Sequence, residues 1–400
     1  MVAILLTGFS SGLPLALSWG TLQAWMKAEN VDITVVGLVS LVGWPYTVKF
    51  LWSPLMDRYS PPFLGRRRGW ILLTQGALAL SLVALGFSKP SEFPFMTALV
   101  AVFVAFFSAS QDIVVDAYRT VLVEKSEVGQ ASSMYIIGYR VGYLISTGGA
   151  LVMASYIPWK WVYVSMALLI GFCMIGTLFM PVPVTNAKPP QSIKDAVWLP
   201  FVDFFKRTGS LEIIAFITLY KLDTNIAQAL LTPFLMDMQF SLTDIGVVKN
   251  SLGLFATIAG TLIAGRYMTR LGIKKSLWIF GAVQGFSGLA FMALAHLGHN
   301  YPMLVVATIL EFLCGGMGTV AYSGFILSIC NKRFSATQYA LLTSLMALTR
   351  TIGISPAGYL QKFVGWEMYF FISVIVMVPG LIFLFRYDRW EAPNEDAVAY

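Results

Sequence analysis

The feature that most constrains this chain is a series of apolar runs of about 20 residues or more, the length that an α-helix needs to cross a bilayer. The runs predict twelve transmembrane helices, with approximate limits 2–26, 34–56, 69–88, 95–118, 130–155, 161–181, 210–236, 243–265, 276–297, 303–330, 339–361 and 366–387. Only 12% of the residues are charged and 57% are apolar, which is about half the charged share of a soluble domain. A soluble globule and a disordered chain are therefore excluded, and an all-α polytopic membrane protein is predicted.

One connection between the predicted spans is much longer than the others, and it follows the sixth span. It covers residues 182–209 and is rich in proline near its start. We therefore predict two six-helix bundles, at 1–181 and 210–387, joined by a cytoplasmic linker at 182–209 and followed by a cytoplasmic tail at 388–400.

The two predicted bundles share features at matching positions. Short basic loops containing Gly65 and Gly272 follow the second and eighth spans, and Arg140 and Arg350 lie inside the fifth and eleventh. Many secondary transporters are built from repeated halves with their binding sites at the repeat interface. The pattern therefore favours two pseudo-repeats around a central cavity.

Lys and Arg residues are distributed unevenly between the predicted loops. With a cytoplasmic N-terminus, the outer loops hold only Lys27, Lys89, Lys160 and Lys362, and the inner segments hold all the other loop Lys and Arg residues. Cytoplasmic loops of membrane proteins carry the excess of these residues, so both termini are predicted to be cytoplasmic. The formal net charge of +7 is then explained by topology, and no nucleic-acid partner is expected.

Charged residues inside the predicted spans point to an aqueous route through the bundle. They are Lys49, Asp112, Asp116, Arg140, Lys221, Asp223, Lys249, Glu311 and Arg350. Each costs about 2.5–3.5 kcal/mol at mid-membrane on translocon scales. Spans 3, 6, 9 and 12 carry none in their interiors, as expected if every third helix faces lipid and the other eight enclose a polar cavity. The slight basic excess favours an anionic or zwitterionic solute.

The fourth predicted span contains two acids, Asp112 and Asp116, one helical turn apart. Two carboxylates that share a site repel each other, which favours protonation of one of them. We predict Asp112 as a proton site or substrate contact. Asp116 is predicted to anchor Arg119 or the basic loop after span 2 as part of a cytoplasmic gate.

The fifth predicted span places Tyr139 and Tyr143 beside Arg140, and Gly138 and Gly142 bracket the arginine. A guanidinium binds carboxylates through paired hydrogen bonds, and small residues at this spacing allow close helix approach. The tyrosines fit stacking on a sugar ring and packing against a neighbouring helix equally well.

The seventh predicted span has a continuous polar stripe formed by Lys221, Asn225, Gln228 and Thr232. Such a stripe indicates a wet cavity. Asp223 lies about 200° from Lys221 around an ideal helix, so we expect it to pair with a base on a neighbouring span, and Arg350 is our candidate. Aromatic stacking on a sugar is further predicted for two tryptophans that lie below the interface, Trp19 and Trp44.

No catalytic, metal-binding or cofactor-binding residues are predicted. The sequence Gly8-Phe9-Ser10-Ser11-Gly12 matches a G-x-S-x-G nucleophile motif, but it lies inside a membrane helix with no preceding strand. The chain has no P-loop motif, so we do not expect it to be powered by ATP hydrolysis.

Seven distinctive motifs are spread along the chain: FSSGLP at 9–14, GTLQAWM at 20–26, KFLWSPLMDRY at 49–59, GRRRGW at 65–70, SASQDIVVDA at 108–117, LCGGMGT at 313–319 and CNKRFSATQ at 330–338. With these motifs the chain resembles the AmpG muropeptide permeases of the major facilitator superfamily. One departure is that the acid of the family's Tyr-Lys-Leu-Gly-Asp motif is displaced by one residue, to Asp223.

The resemblance implies a monomeric, proton-coupled importer in the inner membrane of a Gram-negative bacterium. The family carries GlcNAc-1,6-anhydro-MurNAc, with or without peptide, into the cytoplasm for cell-wall recycling and thereby influences β-lactamase induction. Its partners are the muropeptide, a proton and the lipid bilayer.

The residues expected to serve this function fall into three groups. The substrate group is Arg140, Arg350, Lys221, Lys49, Asn225, Gln228, Tyr139, Tyr143, Trp19 and Trp44; the proton group is Asp112, Asp223 and Glu311; and the gate group is Asp57, Arg58, Asp116, Arg119 and Arg68. Two alternatives stay open: a facilitator for another anionic conjugate such as an acyl-CoA, and an intramembrane enzyme acting on lipid-linked sugars.

Overall fold

The structure, a computed structural model, describes residues 1–31, 42–182, 192–354 and 357–390. All regular elements in these residues are helical, as the apolar runs predict. The α-helices are α1 Val2–Leu17, α2 Gly20–Ala28, α3 Trp44–Val48, α4 Ser53–Arg58, α5 Arg66–Gly86, α6 Pro94–Leu122, α7 Val128–Leu144, α8 Ala150–Ala154, α9 Trp159–Leu178, α10 Ile193–Phe205, α11 Ser210–Leu219, α12 Leu222–Ala229, α13 Leu231–Asp237, α14 Leu242–Ile245, α15 Gly253–Leu297, α16 Tyr301–Ile329, α17 Ser335–Ile354 and α18 Ala357–Phe383.

Within the described residues, eight helical stretches are long and apolar enough to cross a membrane. They are Val2–Ala28, Arg66–Gly86, Pro94–Leu122, Val128–Ala154, Trp159–Leu178, Gly246–Leu297, Tyr301–Ile329 and Ala357–Arg389. The stretch Gly246–Leu297 contains two predicted spans, 243–265 and 276–297. These stretches therefore account for nine of the predicted spans.

The other three predicted spans, 34–56, 210–236 and 339–361, are interrupted. The first contains undescribed residues and two short helices, each of which has a proline in its first turn, Pro45 or Pro54. The second is divided into α11, α12 and α13. In the third, α17 ends at Ile354, before the undescribed residues 355–356.

Glycines mark the sharp reversals that follow the second and eighth predicted spans. Gly65 has φ 73° and ψ 174°, and Gly272, inside α15, has φ 73° and ψ 169°. A side chain makes this backbone conformation costly, so glycine is required at both loops. The shared conformation supports the predicted duplication of the two loops.

The described residues form two compact units, each with its own apolar core. The first unit comprises Met1–Val123, Met134–Pro200 and Cys330–Ser344, and the second comprises Glu124–Ser133, Phe201–Ile329 and Leu345–Tyr400. Leu78, Leu82 and Tyr163 are central to a core of the first unit, and Phe234 and Phe370 to the core of the second.

Close glycine contacts position α1 against α7 in the first unit. The glycines are Gly8, Gly12, Gly138 and Gly142, and a Cβ at any of them would overlap a backbone atom of the opposite helix. The close approach expected at Gly138 and Gly142 is therefore confirmed. Gly8 and Gly12, which match a nucleophile motif only in sequence, have a packing role instead.

Candidate functional site

One polar cluster lies in the first unit on α6. Asp116 Oδ1 accepts a hydrogen bond from Arg119 Nη1 at 3.0 Å, and the arginine is completely buried. The Arg119 guanidinium carbon lies 3.8 Å from the centre of the Tyr135 ring, close enough for a cation–π contact. The predicted pairing of Asp116 with Arg119 is thus observed, and it links α6 to α7.

Asp112 and Lys49 belong to the same cluster. Lys49 is buried and interacts electrostatically with both Asp112 and Asp116. Asp112 is half-buried, and its Oδ1 has no hydrogen-bond partner among the described residues. Sequence reasoning proposed Lys49 apart from the two acids, and the fold brings it to them because α3 and the short turn at Lys49–Leu51 pack on α6.

The predicted sugar-stacking residues are more exposed than the charged cluster. Trp19 and Trp44 are 50% and 61% exposed, and Tyr143 is also exposed. Arg140 and Tyr139 are half-buried. These side chains are therefore accessible on the first unit, as contact with a solute requires. A third tyrosine, Tyr135, lies one turn before Tyr139 on α7, and its ring contacts the Arg119 guanidinium instead.

A second polar network lies in the second unit around Lys221. The Lys221 ammonium donates hydrogen bonds to Gln284 Oε1 at 2.5 Å and to Thr319 Oγ1 at 3.1 Å. Gln284 Nε2 in turn donates to the two Asp223 carboxylate oxygens at 3.3 and 3.2 Å. Lys221 and Asp223 are therefore joined through a third residue on α15.

The helix break at Lys221 permits this geometry. Lys221 has φ −109° and ψ 5°, between α11 and α12, and a similar break occurs at Leu230. The predicted stripe assumed one straight helix, so its angular spacing does not hold across these breaks. Thr232, at the end of the stripe, accepts a hydrogen bond from Lys249 at 2.5 Å.

Glu311 is the most deeply buried acid of the second network, at 2% exposed. Its Oε2 lies 2.7 Å from the hydroxyl of Ser287. Gln228, Asp223 and Lys221 also interact with it. Two predicted proton residues and two predicted substrate residues therefore occupy one connected region, while Asn225 is half-buried on α12 beside it.

Gln284 and Ser287 were missed by the sequence reasoning. Both lie in the ninth predicted span, which was expected to face lipid because it carries no charge. That expectation was incomplete, because neutral polar side chains also enter the network. A buried-polar signal was present in the sequence, since glutamine inside an apolar run is itself costly.

Asp57, a predicted gate residue, is completely buried. Asp57 accepts hydrogen bonds from Arg67 Nη2 at 2.8 Å and from the Thr337 main-chain N–H and hydroxyl at 2.8 Å each. The Ala336 N–H donates to it at 3.3 Å. A carboxylate therefore stands at the N-terminus of α17, where exposed N–H groups and the helix dipole favour negative charge.

Two other predicted gate residues make contacts of their own. Arg68 donates to the Leu178 carbonyl at 2.5 Å, and Arg58 is half-buried, with its guanidinium 5.6 Å from the Tyr59 ring. Sequence reasoning did not place the start of α17 beside Asp57. No local signal could identify it, because Asp57 and Thr337 are 280 residues apart. Arg67 lies only 10 residues from Asp57, in the basic loop after span 2.

One predicted substrate residue, Arg350, has a side chain outside the described part of the chain. Its predicted pairing with Asp223 therefore stays a prediction. The acid already receives two hydrogen bonds from Gln284.

Comparisons with known proteins agree with this architecture. The family model described as Major Facilitator Superfamily matches residues 4–354 and also 213–398. A bacterial homologue of the iron transporter ferroportin, solved in an outward-facing state, superposes with a TM-score of 0.70 at 15% identity, covering 97% of this chain and 98% of that one.

Two curated relatives extend along nearly the whole chain. The Anhydromuropeptide permease of Escherichia coli K12 is 45% identical over 383 residues, covering 95% of this chain and 78% of that protein. The Putative transporter AmpG 1 of Rickettsia bellii is 31% identical over 396 residues, covering 96% and 97%. Such relatives are permeases and transporters and not enzymes. The chain therefore belongs to the major facilitator superfamily of membrane transporters and, within it, to the AmpG-type muropeptide permeases.

Proposed function

We propose that this protein imports anhydromuropeptides, GlcNAc-1,6-anhydro-MurNAc with or without peptide, from the periplasm to the cytoplasm for cell-wall recycling. Transport is coupled to protons and proceeds by alternating access across the bacterial inner membrane. The observation that carries the proposal is the 45% identity to the Escherichia coli Anhydromuropeptide permease over 95% of this chain. Charged side chains inside the apolar helices support it, because a packed bundle without a solute would avoid them.

The proposed topology has twelve spans in two six-helix bundles, at 1–181 and 210–387, with both termini in the cytoplasm. The uneven distribution of Lys and Arg between the loops supports the orientation. The matching backbone at Gly65 and Gly272 supports the repeat. We further propose that a single chain is the transporting unit.

Substrate binding is assigned to basic, polar and aromatic side chains of the predicted spans. Arg140 and Lys221 are half-buried, so each can reach a solute while its charge is only partly solvated. A muropeptide offers carboxylates for these bases and for Lys49 and Arg350. Asn225 and Gln228 supply hydrogen bonds. Two tyrosines and two tryptophans offer ring faces on which the sugar rings can stack: Tyr139, Tyr143, Trp19 and Trp44.

Proton coupling is assigned to Asp112, Asp223 and Glu311. Asp223 and Glu311 interact with each other and share the cation Lys221. Removing an ionised carboxylate from water costs several kcal/mol unless a cation offsets it. Protonation of either Asp223 or Glu311 removes that cost, so the site is suited to bind a proton.

The gate is assigned to Asp57 and its neighbours. Its hydrogen bonds tie the end of α4 to Arg67 in the first turn of α5 and to the first turn of α17, and alternating access requires such contacts to form and break. Asp116 and Arg119, with Arg58 and Arg68, support the same end of the first unit.

Uptake of radiolabelled anhydromuropeptide into right-side-out membrane vesicles tests the proposal. Vesicles from cells that express the protein should accumulate the label only when an inward proton gradient is present, and unlabelled muropeptide should compete. Uptake without a gradient would contradict proton coupling. Displacement of the label by an acyl-CoA, but not by muropeptide, would contradict the substrate.

A further inference from the structure

A neutral side chain, the amide of Gln284, connects the charged groups of the second unit. Its Oε1 accepts a hydrogen bond from Lys221, and its Nε2 donates to both oxygens of Asp223. An amide carries an acceptor and a donor on one planar group. The opposite orientation would set the –NH₂ group against the ammonium, so the two charged partners together determine how the amide points.

The Gln284 side chain is closely packed by its surroundings. The side chain is 2% exposed. A Cβ at Gly318 on α16 would overlap Gln284 Oε1, so only glycine there leaves room for the amide. The bridge between Lys221 and Asp223 is therefore built by packing as well as by charge.

The same turn of α15 also reaches Glu311. The Ser287 hydroxyl lies 2.5 Å from the Gln284 main-chain oxygen and 2.7 Å from Glu311 Oε2. A hydroxyl has one proton to donate. It donates to Glu311 when that carboxylate is ionised, and to the Gln284 oxygen when Glu311 is protonated and donates in turn.

We propose that Gln284 is a positioning residue that links the binding of a substrate anion at Lys221 to the binding of a proton at Asp223. This inference rests on the proposed function of the protein. An anion that draws the Lys221 ammonium away removes the donor from Gln284 Oε1, and the amide is then free to turn. Asp223 loses its cation and its amide donors together, and a proton from solution binds to its carboxylate in their place. Release of the anion reverses these steps.

The test compares Gln284→Met with Gln75→Met in purified protein reconstituted into liposomes. Gln75 is a suitable control, because it lies inside the helix that follows Gly65, as Gln284 lies inside the helical segment that follows Gly272. It is fully buried, and its Oε1 accepts a hydrogen bond from the Thr177 hydroxyl at 2.9 Å. Gln75→Met therefore removes the same amide group at a similar depth, but the partner that loses its hydrogen bond, Thr177, is neutral.

Two transport modes separate positioning from folding. Accumulation of labelled muropeptide under an imposed proton gradient needs coupling, whereas exchange of internal for external muropeptide needs binding alone. Gln284→Met should lower accumulation about tenfold, within the usual range of coupling energies, and leave exchange within about threefold of wild type. Gln75→Met should change neither mode. Gln284→Glu, which accepts from Lys221 but cannot donate to Asp223, should lower accumulation in the same way.

Several results would overturn the inference. An equal fall in accumulation and exchange would give Gln284 a packing role only, and wild-type accumulation in both Gln284 variants would remove the link to Asp223. If Gln284→Met fails to fold, the same two measurements on Gln284→Glu decide the question. Absence of muropeptide transport by the wild-type protein would contradict the proposed function itself and this inference with it.

Discussion

Replacement of Asp57 by asparagine should weaken the contact between the end of α4 and the first turn of α17. Asp57 is completely buried and accepts hydrogen bonds from Arg67, Ala336 and Thr337. Asp57→Asn keeps the shape of the side chain but removes its charge and sets an –NH₂ group against donors. Removal of one partner from a buried ion pair costs about 3–5 kcal/mol, because the other charge stays buried.

The expected effect is therefore large on stability and on transport. Asp57→Asn should lower the melting temperature of the detergent-purified protein and reduce proton-driven muropeptide uptake by at least about tenfold, since about 1.4 kcal/mol already corresponds to a factor of ten. Addition of Arg67→Gln should recover part of the stability, because the buried cation is then removed as well.

An exposed ion pair provides the matched control. Asp388 accepts hydrogen bonds from Lys274 at 2.8 and 2.6 Å, and both side chains are exposed. Asp388→Asn makes the same chemical change where an ion pair contributes about 0–1 kcal/mol, so melting and uptake should stay at wild-type values. If Asp57→Asn melts and transports like Asp388→Asn, the buried contact has no role in the gate.

Three further predictions concern the membrane-spanning residues. Arg140→Ala and Arg350→Ala should abolish muropeptide uptake in vesicles while immunoblots show unchanged protein in the membrane; normal uptake in both would remove the arginines from the substrate site. Asp112→Asn should abolish proton-driven accumulation, and accumulation equal to wild type would exclude it as a proton residue. Gly12→Leu should sharply reduce the folded protein recovered by size-exclusion chromatography, because a Cβ there would overlap the Tyr139 carbonyl. Gly20→Leu should leave this recovery unchanged, because no neighbouring atom lies within 4 Å of a Cβ at that position. Equal recovery of the two variants would contradict the close helix crossing.

The helix class and the chemical character of the site could be predicted because both are local properties. A run of apolar residues buries its backbone hydrogen bonds within the helix wherever it lies in a bilayer. The charged residues inside those runs are likewise visible in the sequence. Lys49, Asp112 and Asp116 were selected on that ground alone, and the fold places them in one cluster.

The partners of these charges could not be predicted, because they depend on which helices become neighbours. Gln284 lies in a span without charges and shows no sign in the sequence that it would bridge Lys221 and Asp223. Because the helix breaks at Lys221, the residues of the polar stripe do not keep the angular spacing of an ideal helix. Helical periodicity describes a straight helix, so it fails where a functional residue interrupts one.

The amino-acid sequence by itself determined that this chain is helical and membrane-embedded, which loops are basic, and which side chains would be costly inside the bilayer, since transfer from water depends on each segment alone. Only the tertiary structure decided that Asp57 caps α17 and that Gln284 joins a lysine to an aspartate. Hydrogen bonds act over about 3 Å, and the residues that form these bonds lie far apart along the chain until the helices pack.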